Sequence, residues 1–315
     1  MLKLIVILAI LRQTGFSSIA QLFLRSQAIA QFFRMSPNPL TFESLETGDS
    51  SLKFGRTMSN YWGRDKRFIV DGQSIDDNMQ YQVGISRYLK MGLEMSSRRF
   101  SDDRMDEVAV GFHDMFMIPQ DKRLLVNRNS TRVVAPDYGL EITEDHLFEP
   151  VSEQVGLKLV SQNFTWGDTQ LSAALQGSYE MAPQSLIKKG ARDWGFQLGA
   201  YRQWSSSFSY AIGNLMVFDG YKDARLYLRS RQTSLLMGYG YSFDNTQAVI
   251  FQTMLGESAY RDIGQLSRIS YEVHLGYRKQ WKNWGLEFSF LENIFWPFNA
   301  PDWGVNLNIL YALKN

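Results

Sequence analysis

The sequence predicts an all-β fold: an antiparallel transmembrane β-barrel of about twelve strands, with a short helix in a long extracellular loop. Three observations predict it. Apolar residues alternate with polar or small residues over segments of roughly 9–11 residues or slightly more, the length a tilted strand needs to cross a bilayer. Short and long connections alternate between these segments, as they do in transmembrane barrels. Aromatic residues concentrate where the segments end, which is typical of residues at a membrane interface.

The alternation is clearest in residues 302–313, where every second residue is apolar, as at Leu307, and polar residues such as Asn306 and Asn308 lie between. Successive side chains of a strand point to opposite faces, so this segment has one apolar and one polar face. The same pattern predicts twelve strands, at residues 50–61, 67–86, 89–98, 153–162, 166–179, 192–204, 206–217, 231–241, 245–256, 267–279, 283–292 and 302–313.

The connections between these strands differ in length on the two sides of the predicted barrel. Tight turns fall at Ser205 and at residues 163–165, whereas residues 99–152 and 218–230 form long loops. Outer-membrane barrels have short periplasmic turns and longer extracellular loops. The sequence therefore predicts that the long loops face the outside of the cell.

In a barrel that spans lipid, the apolar face points outward and the polar face lines the lumen. The mixed charges on this face predict weak ion selectivity if a pore exists, in an interior intermediate between a filled eight-stranded barrel and an open porin. The residues predicted to line the lumen are Glu94, Lys158, Gln197, Arg268, Glu272, His274, Arg278, Glu287, Asn306 and Asn308.

Composition limits the alternatives. The chain has 315 residues, a formal net charge of +1 and no cysteine, which favours one barrel domain and excludes disulfide and thiol chemistry. No internal run approaches the roughly 18 consecutive apolar residues of a transmembrane helix. The balanced charge lacks the basic patch that nucleic-acid binding needs, so no nucleic-acid partner is predicted.

The amino terminus has the pattern of a secretory signal peptide. A positive start at Lys3 precedes an apolar stretch over residues 4–11 and two small-residue cleavage signals, which end at Ala20 and Ala30. The predicted organisation is a signal peptide over residues 1–30, cleaved after Ala20 or Ala30, a periplasmic segment or plug over 31–49, and an outer-membrane barrel over 50–315.

Residues 102–116 show helical spacing of apolar side chains, and this predicted loop helix carries Asp106, His113 and Asp114. Such a cluster could bind a metal or act as a general base whose imidazole is oriented by a carboxylate. It offers a single nitrogen ligand, and no Gly-x-Ser-x-Gly motif accompanies the three histidines of the chain. The interpretation we favour is therefore a structural helix at the barrel mouth, without enzyme activity, metal or cofactor.

Three functions remain open from the sequence. The first is a narrow channel or porin-like passage for small hydrophilic solutes. The second is an outer-membrane hydrolase of lipid or envelope polymer that uses His113 with Asp106 or Asp114, and the third is a structural or adhesion barrel. The predicted location is the bacterial outer membrane, and the predicted partners are outer-membrane lipid and lipopolysaccharide, the barrel-assembly machinery and a small hydrophilic solute.

Several short motifs resemble those of an uncharacterised bacterial outer-membrane protein family, domain of unknown function 3187. The similarity is spread over most of the chain and includes the closing strand after Pro301-Asp302. This resemblance implies the barrel fold and the outer-membrane location, and it implies no catalytic residue. The motifs are Pro37-Asn-Pro-Leu40, Ser59-Asn60, Asp71-Gly72, Phe112-His-Asp-Met-Phe116 and Lys122-Arg123.

Overall fold

The computed structural model contains one antiparallel sheet of fifteen strands, most of which form a closed barrel. It describes residues 21–31, 34–102, 105–116, 131–138, 140–182, 190–219, 228–293 and 299–313. The strands are β1 (Ser50–Arg64), β2 (Ile69–Ser86), β3 (Leu89–Ser101), β4 (Arg132–Ala135), β5 (Leu140–Ile142), β6 (Pro150–Ser161), β7 (Phe164–Trp166), β8 (Thr169–Glu180), β9 (Arg192–Trp204), β10 (Ser207–Phe218), β11 (Arg231–Ser242), β12 (Gln247–Gly256), β13 (Ser270–Gln280), β14 (Trp284–Glu292) and β15 (Trp303–Leu313).

The barrel closes because β1 pairs with both β2 and β15. Phe54 of β1 lies opposite Met79 of β2 on one side and opposite Ile309 of β15 on the other. Twelve strands form the wall in the order β1, β2, β3, β6, β8 to β15, each hydrogen-bonded to its neighbours. Closure leaves no free sheet edge, which is the condition a β-sheet must meet to span lipid. The predicted twelve-stranded barrel is confirmed.

The predicted loop helix is also confirmed, as α1 (Asp106–Phe116) in the long loop after β3. The same loop contains β4 and β5, which the sequence did not predict; β4 pairs with the first residues of β2 and then with β5. No helix in the described ranges is long and apolar enough to span a bilayer.

One predicted turn is wrong. Residues 163–165 were expected to form it, but β7 occupies most of that stretch and pairs with β8, so that Trp166 lies opposite Thr169. The chain reverses instead at Gly167, whose φ of 58° is a left-handed conformation that glycine adopts without a steric penalty. The hairpin was missed because Phe164 and Trp166 are two alternate apolar residues and too few to show a period.

The two ends of the barrel differ. At one end, here the turn end, short connections such as residues 205–206, 243–246 and 281–283 join the strands; the long connections lie at the opposite, loop end. In the 243–246 turn, the Asp244 carboxylate accepts hydrogen bonds from Thr246 and Gln247, which lowers its pKa to about 2. Outward aromatic side chains ring the turn end and are 44–81% exposed, among them Tyr88, Trp166, Trp204, Trp281 and Trp284.

Candidate functional site: the occupied lumen

Residues 21–31 and 34–49, here the lumen segment, lie in the interior of the barrel. The segment starts at the turn end, where the carbonyl oxygen of Gln21 accepts a hydrogen bond from Arg278 near the end of β13. It reaches the loop end at Arg34, which contacts Asp193 at the start of β9. It then returns to the turn end, where Gly48 bonds to Gly84. The segment is therefore a hairpin with two legs inside the barrel.

The lumen segment adds no strand to the wall. Its regular structure is one 3-10 helix at Ile29–Gln31. Among the described residues, backbone-to-backbone hydrogen bonds join the segment to the wall in one place, where Gly48 and Asp49 bond to Gly84 at 2.9 Å. A Cβ atom at Gly84 would lie 2.1 Å from the carbonyl oxygen of Glu46, so the close approach there requires glycine. The other recorded hydrogen bonds between segment and wall use side chains.

A buried charge cluster holds the ascending leg. Asp76 of β2 accepts hydrogen bonds from Arg25 Nε at 3.0 Å and Nη2 at 2.5 Å, and from Gln27 at 3.2 Å. Arg98 of β3 also bonds to Asp76 and donates to the carbonyl oxygens of Ser26 and Gln31 at 3.1 Å. Asp76 and Arg98 are fully buried. One wall carboxylate thus pairs with one cation from the segment and one from the wall.

Two further wall carboxylates bind the backbone of the same leg. Glu272 accepts hydrogen bonds from the Ser26 hydroxyl and from the Gln27 amide, the latter at 2.9 Å. Glu287 accepts from the Phe23 amide at 2.8 Å. Because isolated buried carboxylates are costly, these bonds both satisfy the wall and fix the position of the segment.

At the loop end, Arg34 anchors the bend of the hairpin. Its guanidinium bonds to both oxygens of Asp193, one at 2.5 Å, and to the carbonyl oxygen of Asp219 at 2.7 Å. It also stacks over the ring of Phe218, with 4.6 Å between the guanidinium carbon and the ring centroid. One guanidinium nitrogen contacts both oxygens of Asp193, and this ion pair together with the cation–π contact fixes the geometry of the buried Arg34 side chain.

Lysines of the wall hold the descending leg. Lys158 donates to the carbonyl oxygen of Asn38 at 2.6 Å and pairs with Glu94 at 2.6 Å. Lys90 donates to the carbonyl oxygen of Thr41 at 2.9 Å and to that of Glu43 at 2.5 Å. Both ammonium groups are almost completely buried. Carbonyl oxygens of the segment therefore replace much of the water that would otherwise solvate these groups.

One side of the lumen is apolar, and this corrects the prediction of a polar interior. Leu22, Leu24, Leu40 and Phe42 of the segment belong to one buried apolar cluster with this side of the wall. The cluster was missed because strands β10 to β12 have apolar residues on both faces, which hides the alternation. The principal wall residues of this cluster are Phe208, Tyr210, Ile212, Leu236, Ile250 and Met254.

Nine of the ten residues predicted to line the lumen are buried in the interior. The exception is Arg268, which is exposed. The strand was expected to begin at residue 267, but a 3-10 helix occupies Gly264–Ser267 and β13 begins at Ser270. Arg268 therefore lies in a loop at the loop end. The nine buried residues are Glu94, Lys158, Gln197, Glu272, His274, Arg278, Glu287, Asn306 and Asn308.

The sequence did not single out Asp76, Lys90 and Arg98, although they hold the segment. The alternation in β2 could have indicated that Asp76 points inward, because Ile75 and Met79 lie on the outer face. Asp77 interrupts this alternation: because it is a charged residue on the outer face, the sequence does not show which face of the strand points inward.

The predicted loop cluster lies on α1. Asp114 is exposed there, whereas the side chains of Asp106 and His113 lie outside the described residues. Among the described side chains, no group of three histidine or acidic residues could hold a metal ion.

A small cavity lies beside the segment at the turn end. This cavity, of about 20 Å³, lies between the two legs, bordered by Phe23, Thr41, Lys53 and Arg278. A single water molecule needs roughly 10–15 Å³ by this measure. This cavity therefore has room for about one water molecule.

No curated protein matches the chain. The COG4313 outer membrane channel from Pseudomonas putida F1 has a similar structure, with a TM-score of 0.54 and 10% identity over 88% of this chain and 100% of that chain. KdgM porin in complex with disordered oligogalacturonate gives a TM-score of 0.47, with 5% identity over 84% and 99% of the two chains. The Pseudomonas putida toluene transporter TodX gives 0.37, with 9% identity over 96% of each chain.

The first of these structures shares the barrel fold with this chain, and the low identity limits the likeness to the fold. The closed wall, its apolar outer face and this fold together make the protein a bacterial outer-membrane β-barrel. A family model described as "Protein of unknown function (DUF3187)" matches residues 1–313. The chain therefore belongs to the DUF3187 family.

Proposed function

We propose that the protein is a narrow outer-membrane channel for small hydrophilic solutes, and that displacement of the lumen segment opens it. One observation carries the proposal: the wall closes through its own twelve strands, and the segment inside adds no strand to it. Withdrawal of the segment would break side-chain hydrogen bonds that water can replace, and would leave the backbone ladder of the wall intact.

The lining supports a preference for polar solutes. With the segment displaced, charged side chains of both signs would face water, including Asp76, Glu272 and Glu287 beside Lys90, Lys158 and Arg278. A lining of mixed sign predicts weak selectivity between cations and anions. The apolar side of the wall would hold the segment in the closed state by packing against Leu22, Leu24, Leu40 and Phe42.

We infer that the signal peptide is cleaved after Ala20. Cleavage after Ala30 would remove Phe23, Arg25 and Ser26, and with them the hydrogen bonds that these residues make with Glu287, Asp76 and Glu272. The intact mass of the protein purified from outer membranes should correspond to a chain that starts at Gln21. A mass that starts at residue 31 would contradict this inference.

We infer a channel without enzyme activity, in a membrane of outer-membrane lipid and lipopolysaccharide. Of the three histidines, His274 is fully buried in the wall, with its Nε2 3.8 Å from Glu272, and His146 lies in a short 3-10 helix of the loop after β3. Neither position brings a histidine together with a nucleophile at the lipid boundary. We further propose that the barrel-assembly machinery inserts the protein into the outer membrane.

A reversible tether tests the channel. The chain has no cysteine, so Thr41→Cys and Gln82→Cys introduce the two thiols of the protein, at side chains that lie 3.0 Å apart across the segment–wall contact. We expect the double variant, joined by a short cleavable thiol crosslinker, to show no conductance in planar bilayers. Cleavage of the linker should restore openings, because the segment can then leave the wall.

The matched control is the Gln82→Cys single variant, treated with the same reagent, which should conduct as the unmodified protein does. Equal conductance of the tethered and cleaved double variant would contradict gating by the segment. Absence of conductance from all forms, together with no uptake of small sugars by vesicles, would contradict the channel itself.

A further inference from the structure

The outer face of the barrel carries a charged cluster centred on Arg56 and Asp77, in the middle of strands β1 and β2. Arg56 of β1 lies directly opposite Asp77 of β2, and its guanidinium bonds to that carboxylate at 2.6 Å and 3.1 Å. Arg99 of β3 donates to the same carboxylate at 2.9 Å. Half of the Arg56 side chain is exposed. A carboxylate and two guanidinium groups therefore stand on a surface that elsewhere is apolar.

The strand register places Arg56 near the middle of the apolar belt. Its other cross-strand neighbour is Leu307 of β15, which is 47% exposed on the outer face. Tyr311, four residues from Leu307 toward the turn end, is an aromatic residue of the kind that marks a membrane interface. Trp303, four residues toward the loop end, is buried in a cluster with Met105. Nearby outward side chains are apolar and well exposed, with Phe54 at 46% and Met95 at 42%.

This position is unusual within the described wall. Its other outward charged residues lie near strand ends, where all but the buried Asp71 are at least partly exposed to headgroups and water. Charged side chains in the middle of the lipid-facing belt are costly and are normally paired or covered. The residues near strand ends are Arg64, Asp71, Glu153, Arg192, Arg202, Arg231, Lys279 and Glu292.

We propose that this cluster is the contact surface for a second copy of the chain in the membrane. Arg56, Asp77 and Arg99, with Glu153 beyond Ser97 in the same cross-strand row, carry two positive and two negative charges. A two-fold axis beside β2 brings Arg56 of one copy to Asp77 of the partner subunit, and the reverse, so the surface complements itself. A lipid phosphate would meet the carboxylates of Asp77 and Glu153, which disfavour an anion.

Single cysteines test the surface, since the chain has none of its own. Met95→Cys places a thiol beside the cluster, opposite Met79 in the register. Phe251→Cys is the matched control: it is similarly exposed, at 46%, and lies on β12, across the barrel from β3. A short bifunctional thiol crosslinker, applied to native membranes, should convert the Met95→Cys protein to a covalent dimer and leave the Phe251→Cys protein monomeric.

A second variant removes the charges without removing a lipid-compatible surface. Arg56→Leu, Asp77→Leu and Arg99→Leu together present apolar side chains to lipid, so the barrel should still fold, which heat-modifiable gel migration checks. In mild detergent, light scattering should give a dimer for the natural sequence and a monomer for the triple variant.

Three results would overturn the proposal. One is a natural-sequence protein that is monomeric and forms no crosslink at Met95→Cys. Another is a folded triple variant that remains dimeric, because the charges would then be irrelevant to association. The third is a monomeric natural-sequence protein that retains lipid phosphorus which the triple variant loses, since that result assigns the cluster to a lipid headgroup.

Discussion

A chain that lacks residues 21–47 is expected to hold a steadily open conductance in planar bilayers, whereas the whole chain should conduct only in brief events. The reason is geometric. The wall is a complete ring of twelve hydrogen-bonded strands, and the deleted residues fill its interior without pairing to any of them. The deletion keeps Gly48 and Asp49, which bond to Gly84 at the turn end.

The deleted barrel should still assemble. Its buried carboxylates and lysines lose partners from the segment, but they become hydrated in a water-filled lumen, as the interior of an open porin is. Retained heat-modifiable migration on gels would verify the closed wall. A protein that loses this migration would show instead that the segment is a core which the barrel needs in order to fold.

Adding the segment back in trans is the sharpest control for this deletion. A synthetic peptide of residues 21–47, applied from the turn side, should close the open conductance because it restores the contacts of Arg25 and Arg34 and the packing of the apolar residues of both legs. A scrambled peptide of the same composition keeps the charge and the hydrophobicity and should leave the current unchanged. A folded deletion variant that does not conduct would contradict a channel whose gate is the segment.

The wall could be predicted from the sequence because the membrane imposes a strict period. Lipid outside and polar groups inside force alternation in strands such as β13 and β15. The predicted ends of these two strands therefore agree with the structure to within a few residues. The prediction weakened where the inside is not polar. Strands β10 to β12 carry inward apolar residues that pack against the segment, such as Phe208 and Tyr210 of β10. Apolar residues therefore lie on both faces of these strands.

The sequence left open whether residues 31–49 stay in the periplasm or plug the lumen, because the signal for an occupied lumen is split between distant parts of the chain. Residues 21–49 have no strand or long helical period, and their partners, such as Asp76 and Glu272, lie far along the sequence. Glycine offered a partial signal. A Cβ atom at Gly199 would lie 2.7 Å from the ring of Phe42, and one at Gly276 would lie 2.4 Å from Leu22, so these wall positions are small because the segment lies against them.

The second large effect is expected for Asp76→Asn, which removes the central charge of the ascending leg. The substitution leaves Arg25 and Arg98, both buried, without their shared counter-charge. Loss of one partner from a buried ion pair typically costs about 3–5 kcal/mol, because the remaining charge stays desolvated. Since two cations depend on this one carboxylate, the variant should reach this range unless water enters the lumen and hydrates them.

That escape makes the variant informative about function as well as stability. The segment can relieve the unpaired charges by leaving the wall, so Asp76→Asn should raise the open probability in planar bilayers and lower the free energy of unfolding in urea. Asp168→Asn is the control: its ion pair with Arg202 is exposed, with the two side chains 82% and 46% accessible, and such pairs contribute about 0–1 kcal/mol. If both variants behave alike, the buried cluster does not hold the segment; if Asp76→Asn loses stability without opening, the cluster serves the fold and the gate lies elsewhere along the hairpin.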